Sequence, residues 1–249
     1  MSKNAFNLLI VPAVILIVWA FVAHLGIFNS FLLPPPEQVL ESFGQLIKDG
    51  TLETHILASS MRSLGGFCIA ALIALPTAYI CYYSTKTESR LKLVMEALRF
   101  IPPLSLVPLL ILWLGIGEAS KVAIVILASF FPIYFNALSG FRQIDKNFTE
   151  LATVLRLNKK EKFFHVELSG SLPSVLTGLR LGFGYSWRAL VGAELIAASS
   201  GLGYLIGDAS EMSQTDKVFV GIFSIAILGI LGDQLFVWIT HKFSPWMKK

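Results

Sequence analysis

Apolar residues in this chain gather in long runs, separated by short polar intervals. A run of about 20 apolar residues is long enough to cross a bilayer as a helix. Six such runs, at 6–25, 56–83, 92–114, 121–141, 174–198 and 218–240, predict an all-α, polytopic membrane protein with six transmembrane helices. The first run follows Lys3 and resembles a signal peptide. It is longer than a signal core and lacks a small-x-small cleavage site, so a retained span is expected. The interval "LPPPEQVLESFGQLIKDGTLETH" opens on prolines. Val39, Leu40, Phe43, Leu46 and Ile47 then recur at helical spacing, predicting a short amphipathic helix along the outer surface. No internal repeat or soluble domain is evident, so residues 1–249 read as a single transmembrane domain.

One polar interval is unusually long: "NFTELATVLRLNKKEKFFHVELSGSLP", from Asn147 to Pro173. Asn147 with Glu150, and Asn158 with Glu161, both have capping-box spacing. They predict a helix–turn–helix over 147–168 with its turn near Arg156 and Leu157. Its first helix would present Leu151, Val154 and Leu155. Its second would present Phe163, Phe164, Val166 and Leu168, with Lys159, Lys160 and Lys162 nearby. Two readings stay open: a tip that docks into a partner's groove, or a solvated loop resting its lysines on acidic headgroups.

Composition agrees with lipid as the solvent. Hydrophobic residues make up 55% of the chain, charged residues only 14%, and mean hydropathy is +0.69. A soluble domain carries about 25% charged residues. The net charge of +4 matters less than its distribution. One set of connections holds thirteen basic residues: Lys3, Lys86, Arg90, Lys92, Arg142, Lys146, Arg156, Lys159, Lys160, Lys162, Lys242, Lys248 and Lys249. The other set holds three: Lys48, Lys121 and Lys217. The positive-inside rule therefore predicts that both termini are cytoplasmic. Cys68 and Cys81 would stand about 20 Å apart on one helix, beyond disulfide reach. No metal-ligand spacing, phosphate-binding loop, HExxH or GxSxG occurs, and no nucleophile–base pairing can be built. The chain is expected to bind no metal, cofactor or nucleic acid and not to act alone as an enzyme.

Several membrane-depth residues are candidates for function. Ser174, Gly178, Gly182 and Ser186 recur every fourth position, as do Gly66, Ala70, Ala74 and Ala78. Such stripes allow close helix approach, either fixed or sliding. Arg188 falls mid-span, with Glu194 about 9 Å further out and Arg180 about 12 Å further in. Arg180 can snorkel to the surface. For Arg188, an ion pair with a carboxylate on another helix and contact with an anionic solute both stay open. Glu96 and Arg99 are expected to pair on their helix surface. Pro102, Pro103 and Pro108 predict a kink or a gate hinge. Asn136 could bond across helices or line a path. In "SSGLGYLIGD", Ser199 to Asp208, glycines permit sharp turns, and Leu202 and Leu205 could seal a path or simply pack.

"ELATVLRLNKKEKFFHVELSGSLP" resembles the cytoplasmic signature of permease subunits in bacterial ATP-binding-cassette importers. Glu150 and Ala152 match the family pattern. Leu151 replaces an Ala, as is frequent in the sulfonate, nitrate and taurine branch. Arg156 stands where the family has Gly, Ser169 stands where a first Pro often falls, and Leu172-Pro173 matches a second Leu-Pro. "RFIPPLSLVPLLILWLGIGEASK", "FFPIYFNALSGFR" and "AELIAASSGLGYLI" resemble the same branch in order and spacing. The resemblance spans about residues 30–240. It implies a type I importer permease in the bacterial inner membrane. Glu150, Leu151, Ala152, Leu155, Arg156, Leu157 and Asn158 would couple it to two ATPase subunits, which hold the ATP and Mg. A second permease copy, an identical one giving the simplest closed assembly, and a periplasmic or lipid-anchored solute-binding protein would complete the complex, with the segment after Ser199 near the outer mouth. The branch handles sulfonates, taurine and nitrate, and also aromatic or pyrimidine-like compounds. Two other classes stay open: an ion-gradient-driven secondary transporter, which needs membrane-depth carboxylates, and a scaffold or sensor subunit with no pathway.

Overall fold

The computed structural model describes the backbone of residues 3–243 and the side chains of residues 10–242. Lys248 and Lys249 of the charge count lie outside the described residues, and Lys3 is described in its backbone alone. Every regular element among the described residues is helical: α1 (Lys3–His24), α2 (Pro36–Lys48), α3 (Thr51–Tyr83), α4 (Thr85–Arg99), a 3₁₀ turn (Pro103–Leu106), α5 (Val107–Leu114), α6 (Glu118–Arg142), α7 (Lys146–Val154), α8 (Lys159–Lys162), a π-helical turn (Phe163–Leu168), α9 (Ser169–Ala197), α10 (Leu202–Glu211) and α11 (Thr215–Phe243). Among them, α3, α6 and α11 are each long and apolar enough to cross a bilayer. Two bent pairs, α4 with the 103–114 segment and 159–197 with α10, bring the number of candidate spans to five. The apolar stretch Ile10–His24 of α1 is shorter, and with it the six expected spans are compatible with the structure.

The centre is α6 against α9, with α3 laid across α6. Small residues set the spacing. A Cβ on Gly182 would fall 2.7 Å from Ile133 Cγ1, on Gly178 2.8 Å from Asn136 Cβ, and on Gly66 2.6 Å from Val125 Cγ1. Ser186 and Ser63 hydroxyls meet at 3.4 Å. Ala70, Ala74 and Ala78 are wholly buried in the same seam, with Ile133, Tyr134 and Phe183. Helices without bulky side chains between them approach closely and gain dispersion contacts, the main attraction left when lipid replaces water.

The third apolar run is not one helix. Its parts, α4 and the 103–114 segment, meet at 88°. Pro102 has extended backbone (φ −61, ψ 126), and Pro103 then opens a 3₁₀ turn. Proline cannot donate to a continuing ladder and forces its predecessor out of helical geometry, so two in succession end the helix. Pro108 does not kink anything further. It sits in the first turn of α5, where a missing N–H costs nothing. Glu96 and Arg99 do not pair; the Arg99 guanidinium instead lies 4.9 Å above both the Phe100 and Phe135 rings.

The helix–turn–helix also departs from expectation. Asp145, and not Asn147, caps α7, its carboxylate accepting the Asn147 N–H at 2.9 Å. The Asn158 capping box forms, with reciprocal bonds to Glu161 of 2.8 and 2.9 Å. From there the helix does not stop. It runs through the π turn into α9, so the second polar helix and the fifth span form one rod from Lys159 to Ala197. Ser169 donates to the Phe164 carbonyl at 2.8 Å, satisfying an acceptor that the wider π geometry frees.

At the opposite end, α2 is part of the core. Val39 and Leu46 pack with Leu52, Trp187, Leu202, Leu205 and Val220. Ser42 donates to Asp216. Leu40 and Ile47 face away from this cluster, so the apolar side of α2 is shared between protein and surroundings.

Candidate functional site

Arg188, Asn136, Pro102 and Pro103 come together. They line one cavity of about 530 Å³ bounded by the break after α4, by α6 and by α9. Arg99 enters it from the broken end of α4, with Phe131, Phe135 and Tyr185 in the walls. Two guanidinium groups thus line a largely apolar space with aromatic patches, suited to an anion with an apolar body. Arg188 forms no ion pair with a carboxylate among the described residues. Its guanidinium stands 5.5 Å over the Tyr185 ring. Asn136 bonds within its own helix, Nδ2 donating to the Pro132 carbonyl at 2.8 Å.

A second cavity, about 480 Å³, lies on the other side of the exposed α9 strip and shares Leu181, Tyr185 and Arg188 with the first. Arg180 lines it in a two-pronged pair with Asp233 of α11, at 2.5 and 2.6 Å. The ion pair considered for Arg188 is therefore made about two helical turns away, by Arg180.

Glu194 and Leu202 lie elsewhere. Glu194 is fully buried, with Ser59 Oγ at 2.8 Å, the Gly203 N–H at 3.1 Å and Arg62 Nη1 at 2.8 Å. Arg62 also grips Glu118 through Nε and Nη2 at 2.5 and 2.7 Å, and the Ser200 carbonyl at 2.7 Å. Leu202, wholly buried, donates its N–H to Ser59 at 2.8 Å. These contacts pin α3, the start of α6 and the α9–α10 turn together. Sequence reasoning missed Arg62. The available signal was a basic residue about 9 Å inside the second apolar run, a depth at which a charge calls for a partner. Asp233, inside the sixth run, gave the same signal.

At the basic end, α7 presents Phe148, Leu151, Val154 and Leu155, each at least half exposed, while Ala152 is buried beneath. Phe148 was not anticipated, although 148, 151 and 155 share one helical face. The turn is a Schellman closure: the Leu157 N–H reaches the Ala152 carbonyl and the Arg156 N–H the Thr153 carbonyl, both at 3.0 Å. That closure needs a left-handed residue, and Arg156 supplies it at φ 52. Glu150 and Asn158 are exposed on either side of the turn. Behind it, the buried Glu167 accepts from the Tyr79 hydroxyl of α3 at 2.9 Å and lies 3.7 Å from Lys162. The polar end is thereby tied to two spans. Among the described residues no cluster of metal-ligating side chains is found.

Residues 66–245 match the family described as "Binding-protein-dependent transport system inner membrane component". The chain is 38% identical over 238 residues to the Bacillus subtilis protein SsuC, named for aliphatic sulfonates transport, covering 96% of this chain and 86% of that one. It is 37% identical over 239 residues to the taurine transport system permease protein TauC of Escherichia coli, covering 94% and 87%. The nitrate import permease protein NrtB of Synechocystis is 30% identical over 242 residues, covering 94% and 87%.

Proposed function

The chain belongs to the binding-protein-dependent transport system inner membrane component family and is a permease subunit of an ABC importer; from that premise we propose that it forms the path for a small organic anion of the sulfonate or taurine kind. Two such chains would enclose the path. Two ATPase subunits would dock on the α7 tip, and an extracytoplasmic binding protein would deliver the solute. Both termini would face the cytoplasm.

The observation that carries the coupling role is the apolar tip on a rigid mount. Phe148, Leu151, Val154 and Leu155 stand out from a closed turn, and the chain beyond Asn158 continues as one helical rod into the fifth span. A push on the tip is thereby delivered to the helix that carries Arg188. The solute class is supported by Arg99 and Arg188 sharing a cavity with aromatic walls. Both guanidinium groups can offer two parallel donors to a sulfonate, while the rings cover the organic part. An ion-coupled transporter finds less support, because the membrane-depth carboxylates it would need are engaged, Glu194 by Arg62 and Ser59 and Asp233 by Arg180.

The test is affinity purification from membranes of the native chain and of Glu150→Arg, with assay of ATP hydrolysis. An ATPase subunit should accompany the native chain and be lost with the variant. If none accompanies the native chain in several mild detergents, the coupling reading fails. In parallel, Arg188→Gln should depress uptake of the solute at least tenfold with normal membrane abundance. Unchanged uptake would remove the arginine cavity from the path.

A further inference from the structure

A third cavity, about 460 Å³, lies outside both the arginine cavities and the α7 tip. It is a groove between α3 and the rod that begins at α8. Leu75, Pro76 and Tyr79 form one wall and Phe163, Phe164 and Leu168 the other. Lys159 and Lys160 close its polar end. We propose that this groove binds one anionic phospholipid, with an acyl chain along Leu75 and Leu168 and the phosphate between Lys159 and Lys160.

Three observations converge. First, the groove is continuous with an exposed apolar face of a spanning helix. Leu72, Ile73 and Ile80 of α3 are exposed beside it, within a helix apolar enough to span the bilayer. Pro76 lies about 10 Å below the end of α3, within the bilayer if that end marks the interface. A soluble partner could reach the lysine end only.

Second, the charges are unspent. Glu161 is occupied in the capping box, and Glu167 accepts from Tyr79 through Oε2 while its buried Oε1 faces Lys162 at 3.7 Å without a hydrogen bond. Neither Lys159 nor Lys160 makes an ion pair among the described residues. A phosphate is the complement that this leaves.

Third, the layering is that of an amphiphile. The walls are aliphatic and aromatic, Tyr79 lines the groove one turn before α3 ends at Tyr83, and Lys159 and Lys160 lie at its polar end. Basic pockets between spans bind acidic headgroups in this way, and tyrosines mark the headgroup boundary. The site is distinct from ATPase docking, because the tip residues of α7 do not line it.

The test uses the full chain, purified with whatever subunits accompany it. Native mass spectrometry would count dioleoyl phosphatidylglycerol and dioleoyl phosphatidylcholine retained in titrations. The native chain should retain one phosphatidylglycerol in preference. Lys159→Gln with Lys160→Gln should lower that preference about thirty-fold, two basic residues each contributing as near a membrane surface. Lys86→Gln with Lys146→Gln removes the same charge from the same end away from the groove and should leave the preference intact. Leu75→Trp, which fills the groove, should reduce retention of both lipids. Equal retention of the two lipids by the native chain overturns the proposal. So does an equal loss in both lysine pairs, which would mean diffuse attraction. Displacement by inorganic phosphate alone overturns it too, since that outcome assigns the lysines to a free anion.

Discussion

Arg62 is a charge eleven residues into an apolar helix, and the structure gives it two carboxylates, Glu118 and Glu194. Glu194 is wholly buried and Arg62 nearly so. Removing one member of such a group strands the other without water, which costs about 3–5 kcal/mol. Arg62→Met should therefore lower the melting temperature of the detergent-solubilised chain sharply. Arg62→Met combined with Glu194→Gln should recover most of the loss, because the buried carboxylate is gone and the exposed Glu118 keeps Lys121. If the double variant is as unstable as the single one, Arg62 acts through its reach to the Ser200 carbonyl and not through charge. Arg156 raises a smaller question. A left-handed non-glycine residue costs about 1–2 kcal/mol. Arg156→Gly should stabilise the turn by about 1 kcal/mol, read as slower exchange of the amides at positions 156 and 157. Faster exchange would mean that the arginine side chain holds the turn. At this scale the sequence was only partly legible. Arg156 stood out because a turn was expected there. The grouping of Arg188 with Asn136 and the prolines was not available from spacing, because they lie on three elements. Glu194 was legible as a charge, but its partner was not, since pairing is settled by how helices are arranged.

Among the elements, α9 has two kinds of glycine. Gly182 touches α6 so closely that any Cβ meets Ile133, whereas a Cβ on Gly184 would have only Arg188 Nη2 within 4 Å, at 3.9 Å. Gly182→Ala should force the helices apart and cost about 1–3 kcal/mol. Gly184→Ala should be neutral or stabilise by up to about 1 kcal/mol, from helix propensity alone. Thermal unfolding of the two variants side by side separates packing from propensity, and equal effects would refute the close-contact account. The four-residue stripe containing Gly182 could be read from sequence because period and residue size together imply contact. The 88° break between α4 and the 103–114 segment could not. Apolar runs record what faces lipid, not whether the backbone is continuous, and prolines alone do not distinguish a kink from a right angle. The π turn was equally hidden: it is a change of hydrogen-bond register with no compositional trace.

For the whole molecule, the helices sort the basic residues by end. Lys86, Arg90, Lys92, Arg142, Lys146, Arg156, Lys159, Lys160 and Lys162 all fall where α3, α6 and α9 meet the α7 tip. At the opposite end stand Lys48, Lys121 and Lys217, with Arg62 buried against Glu118 and Glu194. Lys and Arg near span ends set orientation, and carboxylates contribute little. The α7 end should therefore face the cytoplasm, where an ATPase can reach it, and the α2–α10 end should face outward, where a binding protein can. Cysteine accessibility measures this directly. In a Cys68→Ala, Cys81→Ala background, Asp49→Cys should react with a membrane-impermeant maleimide once the outer membrane alone is opened to it. Lys160→Cys should react only after the inner membrane is breached. The reverse pattern would put the α7 tip on the side without ATP, and the coupling role would fail together with the orientation. Labelling of both cysteines from outside would instead mean that the broken third run returns to the side it entered from.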